Sequence, residues 1–154
     1  MKRIMVRSVF DAFDYVMAHY YPYGLEDMAE RKDTYAVISI QDTHTQGFGI
    51  RFCESQFCKG ALTLCFDDIV KKVKGAVLFS ESQAEEIIDF IESHTDVETL
   101  LIHCYGGQSR SRAVGAFAAK MLGVDNTPYF EKGNPNQHVY DTLEKVWKKR
   151  KKNA

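Results

Sequence analysis

Residues 102–111 read IHCYGGQSRS, a polar, glycine-containing stretch between two less polar segments. Residues 99–102 form a short apolar run before it, and small residues dominate 113–122 after it. This order predicts a buried strand, a tight loop and a helix. A loop that ends at a helix N-terminus offers backbone N–H groups and partial positive charge to an anion. Arg110, six positions after Cys104, adds a planar fork of donors, and the same positive field favours the thiolate form of the cysteine. The stretch therefore predicts an oxyanion cradle that also holds a nucleophile.

Length and composition are those of a globular protein. The chain has 154 residues, of which 45% are hydrophobic and 27% charged, and its formal net charge is −1. We predict one domain over residues 1–154. The near-neutral charge does not indicate a nucleic-acid partner, and no segment has the roughly 20 apolar residues of a membrane span. Because no signal-peptide pattern is visible, we predict a cytoplasmic protein whose cysteines are free thiols.

Hydrophobic periodicity alternates between strand-like and helix-like segments along the chain. Apolar or β-branched runs predict strands at residues 3–6, 35–40, 61–66 and 99–102. Helical spacing predicts helices after Ser8, after Ser80, over 113–122 and after Asn136. This alternation indicates an α/β fold in which helices flank a central, mostly parallel sheet. The Cys104 loop then lies at the carboxyl end of a strand, where open α/β sheets bind their ligands.

Three other segments carry specific expectations. The helix after Ser8 has an apolar stripe that should face the core, formed by Phe10, Phe13, Val16, Met17 and Tyr20. Residues 26–33 are interpreted as a short helix and 43–49 as a polar loop. The basic residues of 145–152 are interpreted as a solvated helix end that leads into a disordered tail. The alternative is a docking patch for a partner or a membrane surface.

The motif around Cys104 resembles the signature of a known enzyme class. Residues 103–111 read HCYGGQSRS, which is similar to the loop His-Cys-x-x-Gly-x-Ser-Arg-Ser of the cysteine-dependent protein tyrosine phosphatase superfamily, in its dual-specificity branch. The resemblance covers residues 63–122 and is faint elsewhere. It implies a protein tyrosine phosphatase-like fold with the phosphate loop between a strand and a helix. It also implies no metal and no cofactor, and a loop that phosphate, sulfate or vanadate can occupy.

The resemblance also implies roles for the loop residues. Cys104 would attack phosphorus and become a phosphocysteine, and Arg110 would hold two phosphate oxygens and stabilise the transition state. Ser111 would donate a hydrogen bond to the Cys104 sulfur and so favour its departure in the second step. His103 would fix the loop and favour the thiolate. The remaining substrate-binding positions would be Tyr105, Gly106, Gly107, Gln108 and Ser109. Both glycines are expected to allow unusual backbone dihedrals and a close approach to the ligand.

The reaction needs an acid that protonates the departing oxygen and then activates water. In the family this is an aspartate that follows a strand, some three to four dozen residues before the cysteine. Here Asp67 and Asp68 follow the apolar run at 61–66. The family's spacing selects Asp68, and Asp67 is the alternative; a third reading is that both only cap a turn. Cys65 is near in sequence, and an oxidative disulfide with Cys104 is a further alternative.

Departures from the family pattern limit the substrate. The variable positions Tyr105, Gly106 and Gln108 contain no lysine, although phosphoinositide phosphatases of this class tend to have basic residues there. The Trp-Pro-Asp motif and the length of the larger tyrosine-specific enzymes are also absent. The resemblance therefore implies hydrolysis of phosphotyrosine in proteins, with phosphoserine and phosphothreonine left open. The alternatives are a non-protein phosphate such as a phosphoinositide or an RNA 5′ end, a non-catalytic phosphate-binding module, and a rhodanese-like sulfurtransferase.

Overall fold

The computed structural model describes residues 1–24, 31–44 and 49–154. Strands and helices alternate along these residues, in the order β1 (Arg3–Ser8), α1 (Val9–Tyr20), β2 (Tyr35–Gln41), β3 (Cys58–Cys65), α2 (Glu81–Ser93), β4 (Thr99–Cys104), α3 (Arg110–Met121), α4 (Thr127–Glu131) and α5 (Gln137–Asn153). The sheet order is β1-β4-β2-β3, and each neighbouring pair is parallel. The predicted α/β fold with a parallel central sheet is confirmed. The expectations for 26–33 and 43–49 fall partly on 25–30 and 45–48, which lie outside the described residues.

Strand β4 lies inside the sheet, between β1 and β2, and all six of its residues are buried. On one face of the sheet, α2, α3 and α5 cover apolar side chains that include Ile38 and Ile102. On the other face, α1 and the segment before β3 cover Val37 and Leu101. Because both faces are covered, Leu100, Leu101 and Ile102 form a continuous apolar run rather than an alternating pattern. Within the described ranges, no helix is both long enough and apolar enough to span a bilayer.

Side-chain caps fix where the helices begin. The Ser8 hydroxyl accepts a hydrogen bond from Asp11 N at 3.1 Å, and the Asn136 side chain accepts one from Val139 N, also at 3.1 Å. Ser80 forms a reciprocal capping box with the residue three positions later. The predicted starts of these helices are confirmed. The caps of α1 and α5 matter for function, because both helices begin beside the Cys104 loop.

The apolar stripe of α1 differs from the prediction. Phe10 and Phe13 are 56% and 42% exposed, so the expectation that they face the core was wrong. The buried face consists of Val9, Ala12, Val16 and Tyr20, so the prediction is confirmed for Val16 and Tyr20. The predicted stripe and the buried face overlap and have the same helical period. The buried face has the smaller side chains, which permit closer packing against the sheet.

The basic segment at the end is helical through Asn153, so the expectation of a disordered tail was wrong for these residues. Arg150 Nη1 donates to Asp89 Oδ1 of α2 at 2.7 Å. Lys151 Nζ lies 3.5 Å from the centroid of the Trp147 ring. These contacts hold the last turns of α5 against the protein and favour helix over tail.

Candidate active site

The loop that follows β4 is held from outside by the starts of two helices. Val9 N donates to the carbonyl of Tyr105 at 3.2 Å, at the first residue of α1. Just before α5, Asn134 N donates to Gln108 O at 2.9 Å, and Asn136 N to Ser109 O at 3.1 Å. The loop carbonyls therefore bond to the surrounding protein.

Several amide groups of the loop have no acceptor among the described residues and can donate to a ligand. Within the described ranges, the N–H groups of Gly106, Gln108 and Ser109 donate to no acceptor. Arg110 begins α3, so its amide belongs to the first turn, whose N–H groups have no partner inside the helix. A row of such N–H groups at a helix N-terminus favours an oxyanion ligand.

Gly107 is required by the way the loop passes the junction of β1 and α1. Its φ is +72°, and a Cβ there would lie 2.6 Å from the Arg7 carbonyl carbon and 2.7 Å from Ser8 N. Any side chain would clash with that backbone. Gly106 has neither a left-handed φ nor an atom within 4 Å of the Cβ position. The expectation of unusual dihedrals at both glycines was therefore wrong for Gly106.

The Cys104 sulfur is buried and has two hydrogen-bond partners. The side chain of Ser111, in the first turn of α3, places Oγ 3.0 Å from Sγ, and Gly107 N donates to Sγ at 3.2 Å. Cys104 is 2% exposed and Ser111 is fully buried. Donors to sulfur at the N-terminal end of a helix stabilise a thiolate. The structure thus brings together the cysteine and the serine that the sequence singled out.

One side-chain nitrogen of Arg110 has protein partners, and another has none among the described residues. Its Nη1 donates to Phe66 O at 2.8 Å and forms an ion pair with Asp42 Oδ1 at 2.6 Å. Its Nε is buried and has no acceptor in the part of the chain that the structure describes. The guanidinium is therefore oriented by the ends of β2 and β3 while it keeps a donor for a ligand.

Asp42 is a site residue that the sequence analysis missed. It directly follows β2, whose carboxyl end lies at the same edge of the sheet as that of β4. The signal that selected Asp67 and Asp68, an aspartate after an apolar strand, was also present at Asp42. That signal could not mark Asp42 as a site residue, because the sequence alone does not show that β2 lies beside β4 in the sheet.

Replacement of Asp42 by asparagine is expected to lower kcat on an aryl phosphate about tenfold or more, because the Arg110 fork loses its charged anchor and its alignment. Steady-state kinetics of the two proteins measure the effect, and thermal unfolding separates it from loss of fold. An unchanged kcat would show that Phe66 O alone suffices to orient the arginine.

His103 is fully buried and acts through hydrogen bonds. Its Nε2 lies 2.6 Å from Ser39 Oγ, which also accepts a bond from Gln41 Nε2 at 2.6 Å. Its Nδ1 lies 3.3 Å from the Cys104 carbonyl oxygen. Burial lowers the pKa of His103 to about 4, with a smaller contribution from Arg110 and an opposing one from the bond to that carbonyl. The imidazole is therefore neutral near pH 7, and its predicted support of the thiolate does not come from positive charge.

The neutral state of His103 makes stability depend on pH. The pKa of this group lies near 6.5 in a solvated chain and near 4 in the folded protein, so the unfolded state binds more protons between these values. We expect the free energy of unfolding to fall by about 3 kcal/mol as the pH is lowered from above 6.5 to about 4. Urea unfolding at a series of pH values measures this loss. An NMR titration in which the His103 ring protonates near pH 6.5 would contradict it.

The two aspartates after β3 have different surroundings. Asp67 is buried, and its carboxylate accepts bonds from Val77 N at 2.7 Å and from Thr43 Oγ1 at 2.8 Å. Burial alone would raise the pKa of Asp67, but these bonds outweigh it and hold the pKa below its usual value. Asp67 therefore stays ionised and closes the base of a loop, residues 67–77.

Asp68 lies beside the Cys104 loop. Its Oδ1 accepts bonds from Ser109 Oγ at 2.7 Å and from Asn136 Nδ2 at 2.9 Å. Within the described ranges, no donor lies within hydrogen-bond distance of its Oδ2, and the residue is exposed. Asn136 also donates to Ile69 O at 3.1 Å, so it orients Asp68 and the loop that carries it. The sequence analysis recognised Asn136 only as the start of a helix.

Cys65 is placed too far from Cys104 for the disulfide considered above. Strand β2 lies between β3 and β4, so two strand spacings, about 9–10 Å, separate the two backbones. A disulfide requires Cα atoms within about 7 Å. Cys65 pairs with Gln41, whereas Cys104 is level with Ile40, so the two side chains also leave opposite faces of the sheet.

An aromatic pair borders the loop. The Tyr105 ring is 55% exposed and meets the Phe10 ring edge to face, with centroids 6.4 Å apart. Tyr105 directly follows Cys104, and Phe10 lies in the first turn of α1. Phe10, which was expected in the core, thus forms part of the surface beside Cys104.

Comparisons with known proteins identify the fold. No family model and no curated protein matches the sequence. Human DUSP28 aligns with 98% of this chain and 95% of its own, with a TM-score of 0.55 and 14% identity. The chain has a dual-specificity phosphatase-like fold. PTPMT1, solved in complex with PI(5)P, aligns over 97% of this chain and 92% of its own, with a TM-score of 0.55 and 11% identity. A human tyrosine phosphatase-like serine/threonine/tyrosine-interacting protein aligns over 76% and 78%, with a TM-score of 0.53 and 20% identity.

The predicted resemblance to dual-specificity phosphatases is confirmed at the level of the fold. Identities of 11–20% establish the fold alone, so the reaction rests on the site's own residues.

Proposed function

We propose that this protein hydrolyses phosphate monoesters, with phosphotyrosine in proteins as the substrate class, through a phosphocysteine intermediate. One observation supports the proposal. The buried Cys104 sulfur is hydrogen-bonded at the start of a loop in which several amides and Arg110 Nε have no acceptor among the described residues and can donate to an anion. A nucleophile and a cradle for a tetrahedral oxyanion are thus built into the same seven residues.

In the first step the Cys104 thiolate attacks phosphorus, and the bond from phosphorus to the ester oxygen breaks. The loop amides and Arg110 take the charge of the equatorial oxygens in the transition state. Asp68, protonated on Oδ2, passes its proton to the departing oxygen.

In the second step a water molecule attacks the phosphocysteine, and Asp68, now ionised, accepts the proton of that water. The sulfur–phosphorus bond breaks and inorganic phosphate leaves. Ser111 donates to the sulfur as its negative charge returns, which makes Cys104 a better leaving group.

The surroundings of Asp68 support its assignment as the acid. Its Oδ1 is held by Ser109 and Asn136, whereas Oδ2 accepts no hydrogen bond from the described residues and can carry the proton. Asp67 is less suited, because hydrogen bonds from Val77 and Thr43 hold its pKa low and keep the carboxylate ionised.

The aromatic pair favours an aryl ester. A phenolic ring that projects from a phosphate in the loop passes Tyr105, whose neighbour Phe10 extends the apolar wall. Stacking and edge contacts with such rings contribute about 0.5–1.5 kcal/mol per pair. An alkyl ester of serine or threonine would gain less from this wall.

Initial rates on phosphotyrosine, phosphothreonine, phosphoinositide, nucleotide and 5′-phosphorylated RNA substrates test the proposal. We expect the highest kcat/KM on phosphotyrosine, full activity with a chelator, and inhibition by vanadate. Binding of a phosphopeptide without release of phosphate would instead indicate a non-catalytic module. Sulfur transfer from thiosulfate to cyanide that survives Asp68→Asn would indicate a sulfurtransferase.

A further inference from the structure

The loop that carries Asp68 has a defined shape. Asp67 N donates to Val77 O at 2.8 Å, and Val77 N donates back to the Asp67 carboxylate. These bonds close the base of the 67–77 loop, so that residues 68–76 project from it. Within it, Ala76 N donates to Val73 O at 3.1 Å, and Gly75 has a φ of +82°. The backbone of the 67–77 loop therefore has a defined conformation that presents its side chains in a defined arrangement.

Three of those side chains are lysines. Lys71, Lys72 and Lys74 are all exposed, and within the described ranges none of them forms an ion pair. Several lysines of α5, by contrast, are paired with Glu81 or Glu144. In a chain of net charge −1, three lysines that have no ion pair among the described residues make this loop a local positive patch.

A cleft joins this patch to the reacting groups. It has a volume of about 460 Å³ and lies between the 67–77 loop and the start of α5. Its lining includes Asp68 and Ser109 as well as Lys71, Val70 and Gln137. A substrate with its phosphate on the Cys104 loop therefore has neighbouring groups within reach of Lys71.

We propose that Lys71, Lys72 and Lys74 bind acidic side chains next to the phosphorylated residue, so that the protein selects acidic phosphopeptides. The inference rests on the proposed function, because the peptide is positioned by its phosphate. Charge complementarity supports it, since the patch is positive and its lysines form no ion pair with a carboxylate of residues 1–24, 31–44 or 49–154. An acidic group bound there would also contact the loop that places Asp68.

The patch suits a peptide better than a membrane surface. Juxtamembrane segments that bind anionic lipid carry about four to eight clustered basic residues, and this loop has three. Residues that insert at a bilayer interface are typically Trp, Phe or Leu. The exposed apolar residues among the lysines are Val70 and Val73, at 60% and 45% exposure.

Two phosphotyrosine peptides of equal length provide the test, one with Asp and Glu around the phosphotyrosine and one with Asn and Gln. We expect a ratio of kcat/KM of about tenfold in favour of the acidic peptide, the effect of two or three exposed ion pairs. The ratio should shrink at high salt. In the triple variant K71A/K72A/K74A it should approach one, and K71R/K72R/K74R should restore it. Lys59→Ala, an exposed lysine near the start of β3, is the matched control and should keep the ratio.

The outcomes separate this inference from the function on which it rests. If the wild-type protein hydrolyses both peptides equally, the inference is overturned and the proposed function stands. A ratio that persists in the triple alanine variant also overturns it. Lysine-dependent binding to phosphatidylserine vesicles, without a peptide preference, assigns the patch to membranes instead. If neither peptide is hydrolysed, the proposed function itself fails.

Discussion

Cys104→Ser is expected to reduce kcat on a phosphotyrosine peptide by at least about 10³-fold and to preserve binding of that peptide. A serine hydroxyl is neutral near pH 7, so the attacking anion is lost. The hydrogen bonds of Ser111 and Gly107 reach the same position, and the loop amides and Arg110 are unchanged. The cradle therefore remains while the nucleophile does not.

Three measurements establish this result. Steady-state kinetics give kcat, calorimetry gives the Kd of the phosphopeptide, and mass spectrometry of the acid-quenched wild-type reaction detects a phosphoryl group on Cys104. Cys65→Ser is the matched control, because this exposed thiol leaves the opposite face of the sheet. Full activity in Cys104→Ser, or loss of activity in the Cys65 variant alone, would refute the assignment of the nucleophile.

The part of the site that could be predicted from sequence is the part that is contiguous. Residues 103–111 form a strand end, a loop and a first helical turn, so the local order of residues determines which groups converge. Caps at Ser8, Ser80 and Asn136 are equally local, and their predicted helix starts hold.

Features that depend on which elements become neighbours were not predictable. Asp42 reaches Arg110 only because β2 lies beside β4 in the sheet, and Asn136 reaches Asp68 across 68 positions of sequence. The exposure of Phe10 depends on which of two stripes α1 turns toward the sheet. The neutral state of His103 follows from its complete burial, which the motif does not reveal.

The two adjacent aspartates show how non-local contacts separate two candidates between which the sequence offers only the family's spacing, which favours Asp68. Asp67 and Asp68 both follow β3, but successive side chains of an extended chain point to opposite sides. Asp67 meets Thr43 and Val77, whereas Asp68 meets Ser109 and Asn136. Of these two residues, only Asp68 is therefore beside the Cys104 loop with one carboxylate oxygen that accepts no bond from the described part of the chain.

Asp68→Asn is expected to lower kcat on phosphotyrosine by about 10²–10³-fold, because asparagine has no acidic proton to give to the departing oxygen. The amide oxygen still accepts from Ser109 and Asn136, so the loop should keep its position. The loss should be much smaller on nitrophenyl phosphate, because a nitrophenolate leaves readily as the anion. A plot of kcat against the acidity of a series of phenols measures this difference as an increased slope.

Asp67→Asn is the matched control for that experiment. It weakens the bonds to Val77 and Thr43 that close the 67–77 loop, so we expect a lower unfolding temperature. The dependence of kcat on the leaving phenol should stay as in the wild-type protein, since Asp68 still supplies the proton. If Asp67→Asn steepens that dependence and Asp68→Asn does not, the acid is Asp67. The bond from Ser109 to Asp68 would then serve only to hold the loop.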